Sequence, residues 1–449
     1  METLKDVRGE DEDLAGRLAA EGVELAVGAW IDVLGRPRGK MVPISHLASL
    51  LAGSERYTPR GMGGLGPMNP SEPECVAVPD PDTLRILPWD HRIAFFNANL
   101  LYGGTAPFDN CPRTILQGVR ARAADLGMRF NLGVELEFYV FQEASLPALV
   151  PLARSCAIAP TPAYDLEATL DSLPFLKTVV RYMDEAGLGL FSFDHEGGDG
   201  QYELDFQHAD VLTTCDNVTF LRLLLRQVAK EHGGVVSFMP KPASTMWGSG
   251  AHMNMSLEDL DGNNLFRDEG GAWTPAARSF TAGLLDHAAA LSALTCPTVN
   301  SYKRLVPRLA DGSVSWAPVW ATWGDNNRSC MVRLPHNRPA LENRSVDAAA
   351  NMYLAAAFSL AAGLEGIEKG LDPGEPVTDA THLWSEGMAG RRLPTTLMEA
   401  IAAFEADELV RRVLPAGFVR DYGQMKRDEW SDYHALVSDW ERDRYLTDL

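Results

Sequence analysis

From residue 132 to 141, Val134, Leu136, Phe138 and Val140 fall on one face of a predicted strand, while Glu135 and Glu137 share the other. Runs of the same kind predict strands near 189–195, 201–206, 235–239 and 329–334. His252 and Asn254 alternate with apolar residues on a further strand entered through glycines. Apolar residues at helical spacing predict helices over Thr114–Leu126, Leu170–Ala186, Val211–Glu231 and Pro275–Leu294. The stretch 348–364 reads as a buried helix, and Leu393 to Tyr445 as helical and charged. Before residue 105, a short helix pattern mixes with strand-like runs at Val23–Asp32, Cys75–Pro79 and Leu84–Trp89. A loop rich in glycine and proline, Tyr57–Pro73, contains Arg60-Gly61-Met62-Gly63-Gly64-Leu65-Gly66 and reads as functional or mobile rather than core. The pattern therefore divides into a small α+β unit over 14–105 and a large one over 110–449.

Composition narrows the classes of function. A chain of 449 residues that is 46% hydrophobic can bury a large core. Its net charge of −21 argues against nucleic acid or an anionic membrane as partner, because both select basic surfaces. The six cysteines (Cys75, Cys111, Cys156, Cys215, Cys296 and Cys330) form no paired spacing, so free thiols in a reducing compartment are expected. METLKDVRGEDEDLAG lacks the apolar core of a signal peptide, and 348–364 is too short to span a bilayer. The expectation is a cytoplasmic protein.

Four clusters carry candidate chemistry. Glu135 and Glu137 form the first; two anions buried side by side need a cation, whereas a solvated strand face is the plainer alternative. The second is Asp194-His195-Glu196-Gly197-Gly198-Asp199-Gly200-Gln201-Tyr202-Glu203. Its glycine-rich turn lets the chain reverse and bring Glu196 and Glu203 to one place; a hairpin with exposed acids is the alternative. The third runs from Phe238-Met239-Pro240-Lys241-Pro242 to Gly248, His252, Asn254 and Ser256. The fourth holds Arg304, Arg328, Arg333 and Arg344 between apolar residues, where planar guanidinium groups suit carboxylate and phosphate oxygens, or simply surface ion pairs.

Together, GVELEF, EGGDGQYE, FMPKP…GSGAHMNMSL, NSYKRLVP, NNRSCMVRLP and LENRSVDAAANMYL resemble the glutamine synthetase superfamily, in order and over nearly the whole chain. The resemblance implies a small N-terminal β-grasp domain and a large catalytic α/β domain. It also implies homo-oligomers, commonly dodecamers of two hexameric rings, with active sites between subunits. By resemblance Glu137, Glu196 and Glu203 hold one metal ion, and Glu135, His252 and Glu342 hold another. Oxygen ligands with one imidazole fit Mg²⁺ or Mn²⁺, two or three ions per site, better than zinc. The implied reaction uses ATP to phosphorylate the side-chain carboxylate of glutamate; an amine then attacks the γ-glutamyl phosphate. In this reading Arg304 and Arg344 hold glutamate, with Gly248 at its amino-acid end. Arg328 and Arg333 face phosphate oxygens, Asn254 and Ser256 lie by the nucleotide, and Arg304, Arg328 and Glu342 form the catalytic group.

Departures from the family bear on the amine. Trp316, in Ser315-Trp316-Ala317-Pro318, stands where ammonia-using members carry a glutamate, and the loop Arg308–Ser315 is longer. No acid occupies Thr58-Pro59-Arg60, where an ammonium-binding aspartate is expected. An indole offers apolar area and a π face to an alkylammonium. The alternative is that the longer loop returns an acid such as Asp311 to the same place. These features resemble the glutamate–methylamine ligase branch and its type III glutamine synthetase-like relatives. Ammonia, a longer alkylamine or a polyamine remain alternative substrates, and an inactive ring-forming scaffold is an alternative of another class. Ala340 replaces a nucleotide-binding arginine, for which Arg338 is a nearby substitute, and Met352 replaces a proline. Arg391 and Arg392 precede Leu393-Pro394 in place of the tyrosine that is adenylylated in some bacterial members, so that regulation is not expected.

Overall fold

The structure, a computed structural model, describes residues 13–62, 71–153, 162–384 and 390–447. Gly63, Gly64, Leu65 and Gly66 of the glycine loop, and Cys156, lie outside the described residues. Two sheets organise the rest, in an α+β arrangement.

The smaller sheet runs Pro37–Pro43, Leu25–Ile31, Asp90–Tyr102, Cys75–Pro79 and Arg56–Tyr57 in spatial order. Leu25–Ile31 pairs in parallel with Asp90–Tyr102; the other pairings along this path are antiparallel. One face packs Ala26 and Phe96 on Leu18 of the helix over 13–20 and on Leu47 and Leu50 of Leu47–Leu51. The other turns Val27, Ile31 and Phe95 into the main core. The alternation pattern does not single out Asp90–Tyr102. Residues 94–98 of this strand are buried without a break, and a strand covered on both faces loses its period of two.

The larger sheet is built around Met128–Gln142, flanked by Ala251–Asp259 and Gln201–Phe206. Val134, Leu136, Phe138 and Val140 enter the core, as the alternation predicts. Helices Val211–Glu231 and Met352–Lys369 contribute Leu221, Leu225, Tyr353 and Phe358 to the same core. A buried joint ties the sheets together. Arg113 donates to Asp216 at 3.0 and 3.1 Å and to Asp80 at 2.8 Å, while the Tyr353 hydroxyl donates to Asp216 at 2.6 Å.

Local details correct several expected boundaries. Leu170–Ala186 is not one helix: Leu166–Asp171 ends at Ser172, and Leu173–Glu185 begins with Pro174 in its first turn, where a missing N–H costs least. Pro275–Leu294 breaks at His287 into Pro275–Asp286 and Ala288–Thr295. The apolar stretch 348–364 enters its helix only at Met352, because the Asn351 side chain caps it by accepting from Tyr353 N at 3.1 Å. Of 329–334, only Val332–Leu334 is strand. Cys75, Cys111, Cys215, Cys296 and Cys330 are buried free thiols. Among the described residues, no helix is long and apolar enough to cross a membrane.

Candidate active site

Strand register gathers the acids. Glu203 lies opposite Glu137, and His252 opposite Glu135, on either side of the central strand. Glu342 enters from Leu341–Asn343, which pairs with the His252 strand and places it opposite Asn254. Glu196 arrives through the turn that follows Leu190–His195, where Gln201 N donates to Gly198 O at 2.9 Å and reverses the chain. Glu135, Glu137, Glu196, Glu203 and His252 line one cavity of about 440 Å³, together with Gly248, Arg304, Arg328, Arg344 and Trp316, whereas Glu342 is buried behind them.

Ligand-capable atoms come within 4.8 Å of one another in three overlapping sets: Glu135–His252–Glu342, Glu137–Glu203–His252 and Asp194–Glu196–Glu203. The first is the trio expected for one ion. The other expected trio is distributed over two sets that share Glu203, with His252 and Asp194 as additional members. No metal-ligand spacing in the sequence marks Asp194, whose side chain comes in because it stands opposite Glu203 in the hairpin.

The two halves of the site differ in counter-charge. Around Glu342, which is fully buried, Arg333 pairs at 2.8 Å and Arg344 pairs closely, while Arg338 bridges to Glu342 at 3.3 Å and Glu135 at 2.9 Å. Burial opposes ionisation of Glu135, yet the His252 and Asn254 hydrogen bonds and the Arg338 charge hold its carboxyl at about 2. Glu342 is likewise held low by Arg344 against the effect of burial. The half made of Glu137, Glu196, Glu203 and Asp194 has no arginine or lysine within ion-pair distance among the described residues. Glu137 accepts from Gly250 N at 2.8 Å and Gln201 Nε2 at 3.2 Å; burial and then Glu196 push its carboxyl up to about 8. Burial also lifts Glu203, beside Glu135 and Glu137, and lifts Asp194 to about 6 beside Glu196. Asp194 Oδ1 is buried with no hydrogen-bond partner. Crowded carboxylates with an orphaned oxygen and no arginine or lysine paired to them among the described residues fit hard divalent ions, which need oxygen donors and supply the missing charge.

The arginines are set by backbone acceptors. Buried Arg304 donates to Ser345 O at 3.0 Å and Arg344 O at 3.1 Å; Arg344 Nε donates to Arg328 O at 2.9 Å. Glycine is required beside them. A Cβ at Gly248 would meet Arg304 Cγ at 2.6 Å, and one at Gly250 would lie 3.0 Å or less from His252, Arg304 and Glu137. Exposed Arg328 opens on the cavity, whereas Arg333 lines neither this cavity nor the next and bonds Asn326 Oδ1 at 2.7 Å. Asn254 and Ser256 face a second cavity of about 300 Å³ across Glu135, with Asn254 Nδ2 donating to Glu135 at 3.0 Å.

Two further residues line the cavity and a third braces its wall. Tyr164 lies at φ 62° and lines the mouth; Trp247 covers Gly197; Gln201 ties Glu137 to Gly248 O at 3.0 Å. Of the three, only Gln201 belongs to the segment EGGDGQYE. Trp316 is about half exposed and meets His382 edge-on at 6.1 Å.

The glutamine synthetase catalytic-domain family matches residues 109–445. The chain belongs to the glutamine synthetase family. It is 34% identical over 97% of its length to a glutamine synthetase of Rhizobium leguminosarum bv. phaseoli, covering 99% of that protein. It is 35% identical over 94% of its length to a glutamate–methylamine ligase of Methyloversatilis universalis, covering 96% of it. A solved GmaS/ADP complex superposes with a TM-score of 0.89 at 35% identity, over 97% of this chain and 99% of that one. As a glutamine synthetase-type enzyme it is an ATP-dependent ligase that joins glutamate to an amine. ATP and divalent metal are typical of the family, and the three acid sets provide candidate ligands for the metal.

Proposed function

We propose that this enzyme ligates methylamine to the γ-carboxylate of L-glutamate, giving γ-glutamylmethylamide, ADP and phosphate through γ-glutamyl phosphate. The observation that carries the amine choice is the wall after residue 308. Asp311 sits at the exposed tip of a turn, where its carboxylate accepts from Ser313 N at 2.9 Å and Ser313 Oγ at 2.6 Å. The cavity side of that wall is Leu309, Ser315, Trp316 and Ala317, with no carboxylate among them. An apolar, aromatic wall suits a methyl group better than bare ammonium. The glutamate–methylamine ligase and GmaS likenesses support this reading, although the similar identity to glutamine synthetases keeps ammonia as the second reading.

In this mechanism Arg304 and Arg344 hold the glutamate carboxylates beside Gly248, and Arg328 steadies the transferring phosphoryl oxygens. Divalent ions held by Glu137, Glu196 and Glu203, and by Glu135, His252 and Glu342, would offset charge on those oxygens. Arg333 supports Glu342, so its contribution to phosphate is indirect. Once methylammonium has given up its proton, the free amine attacks the acyl phosphate and expels phosphate. Asn254 and Ser256 line the nucleotide side. We also propose a domain division at 14–105 and 110–449, and a homo-oligomer, a dodecamer of two hexameric rings with active sites between subunits.

A coupled ADP-release assay over ammonia, methylamine, longer alkylamines and polyamines tests the reading. Methylamine is expected to give the highest kcat/KM, and ammonia in that place would defeat the assignment.

A further inference from the structure

Three arginines touch Glu342, and one is held differently from the others. Arg333 is also fixed by Asn326, and Arg344 by Arg328 O; both are buried. Among the described residues Arg338 pairs with Glu135 and Glu342 alone, at 2.9 and 3.3 Å. Its side chain is 31% exposed, and its buried Nε has no hydrogen-bond partner. It opens on the cavity of about 300 Å³ that carries Asn254 and Ser256, and Ala340 on the same wall offers no charge.

We propose that Arg338 is an exchangeable counter-charge: a divalent ion on Glu135 and Glu342 displaces its guanidinium, which then binds phosphate oxygens of the nucleotide in the adjoining cavity. The proposal rests on the metal reading above. Arg338 and such an ion draw on the same two carboxylates, so each weakens the other's hold. A guanidinium released there lies beside a cavity with no other arginine or lysine among its lining residues, and its planar fork matches a phosphate. Metal and nucleotide binding are thereby coupled through one side chain.

Calorimetric titration tests this on the full chain, with Mn²⁺ alone and with ADP at saturating Mn²⁺. R338A is expected to bind Mn²⁺ as tightly as the parent or several-fold tighter, but ADP ~10-fold more weakly, the scale of a lost charged hydrogen bond. R338K should fall between, and A340R placed in the R338A chain should recover part of the ADP affinity. Weakened Mn²⁺ binding in R338A would overturn the proposal, making Arg338 a mere support for the carboxylates; unchanged ADP affinity would remove its phosphate role. If R338A does not fold, R338K decides on the same two readouts. A parent chain that binds no Mn²⁺ overturns the metal reading itself, an outcome distinct from both.

Discussion

Two buried histidines sit among acids in this molecule, with opposite consequences. His287 holds Glu365 and Asp407 at 2.7 Å each, and Glu365 is further paired with Arg412 and with Lys369 at 3.0 Å. Burial disfavours charge on all three, yet the mutual hydrogen bonds raise His287 and lower Asp407, and Arg412 and His287 hold Glu365 at about 2. His252 stands 3.2, 3.6 and 3.7 Å from Glu135, Glu137 and Glu342, and burial lowers it. Beyond it, burial and then neighbouring carboxylates push Glu137, Glu203 and Asp194 upward. A closed network spends its charge on holding helices together. An open one keeps charge in reserve for something that binds.

The contrast is broken most forcefully at Glu203. Changing Glu203→Gln should cost on the order of 10²–10³ in kcat, the scale of a lost electrostatic clamp, while thermal stability stays level or rises because like-charge crowding is relieved. Steady-state kinetics and a melting curve on the same sample check both halves; a large fall in Tm would place Glu203 with the structural acids. The counterpart, Glu365→Gln, should destabilise the fold by about 3 kcal/mol in denaturant unfolding, since His287 and Arg412 lose a buried partner. A smaller effect is expected from Trp316→Ala. It should cut the preference for methylamine over ammonia by ~10-fold, the scale of one methyl contact, with little change in the KM for ATP.

The mildest test concerns pH. The raised His287 contributes stability that is full below its unfolded value near 6.5 and lost as pH climbs through the higher folded value. The depressed Glu365 contributes above 4.5 and loses this as pH falls towards about 2. The Tm gap between the parent and His287→Gln should therefore be widest between about pH 4.5 and 6.5 and narrow on either side. A gap independent of pH would mean that His287 acts by packing alone.

Much of the site was legible because its motifs are local. The GVELEF alternation places two acids on one strand face, and the Gly197–Gly200 turn announces a reversal that brings Glu196 and Glu203 together. Asp194 was not legible as a site residue, since its closeness to Glu203 depends on hairpin register. Tyr164 and Trp247 were silent because nothing local says that a tyrosine near a helix start, or a tryptophan in a loop, turns to a cavity. The break at His287 was hidden for a related reason: its partners lie 78 and 120 residues away.

From sequence alone came the family, the α+β class, the central strand and six candidate metal-binding side chains, because periodicity and short motifs are carried by neighbours along the chain. Tertiary structure alone decided how those six divide, with arginines around Glu135 and Glu342 and, among the described residues, none paired with Glu137, Glu196 or Glu203. It also decided that Asp311 turns outward to Ser313. Charge balance in a buried site depends on distance through space, which residue order does not encode.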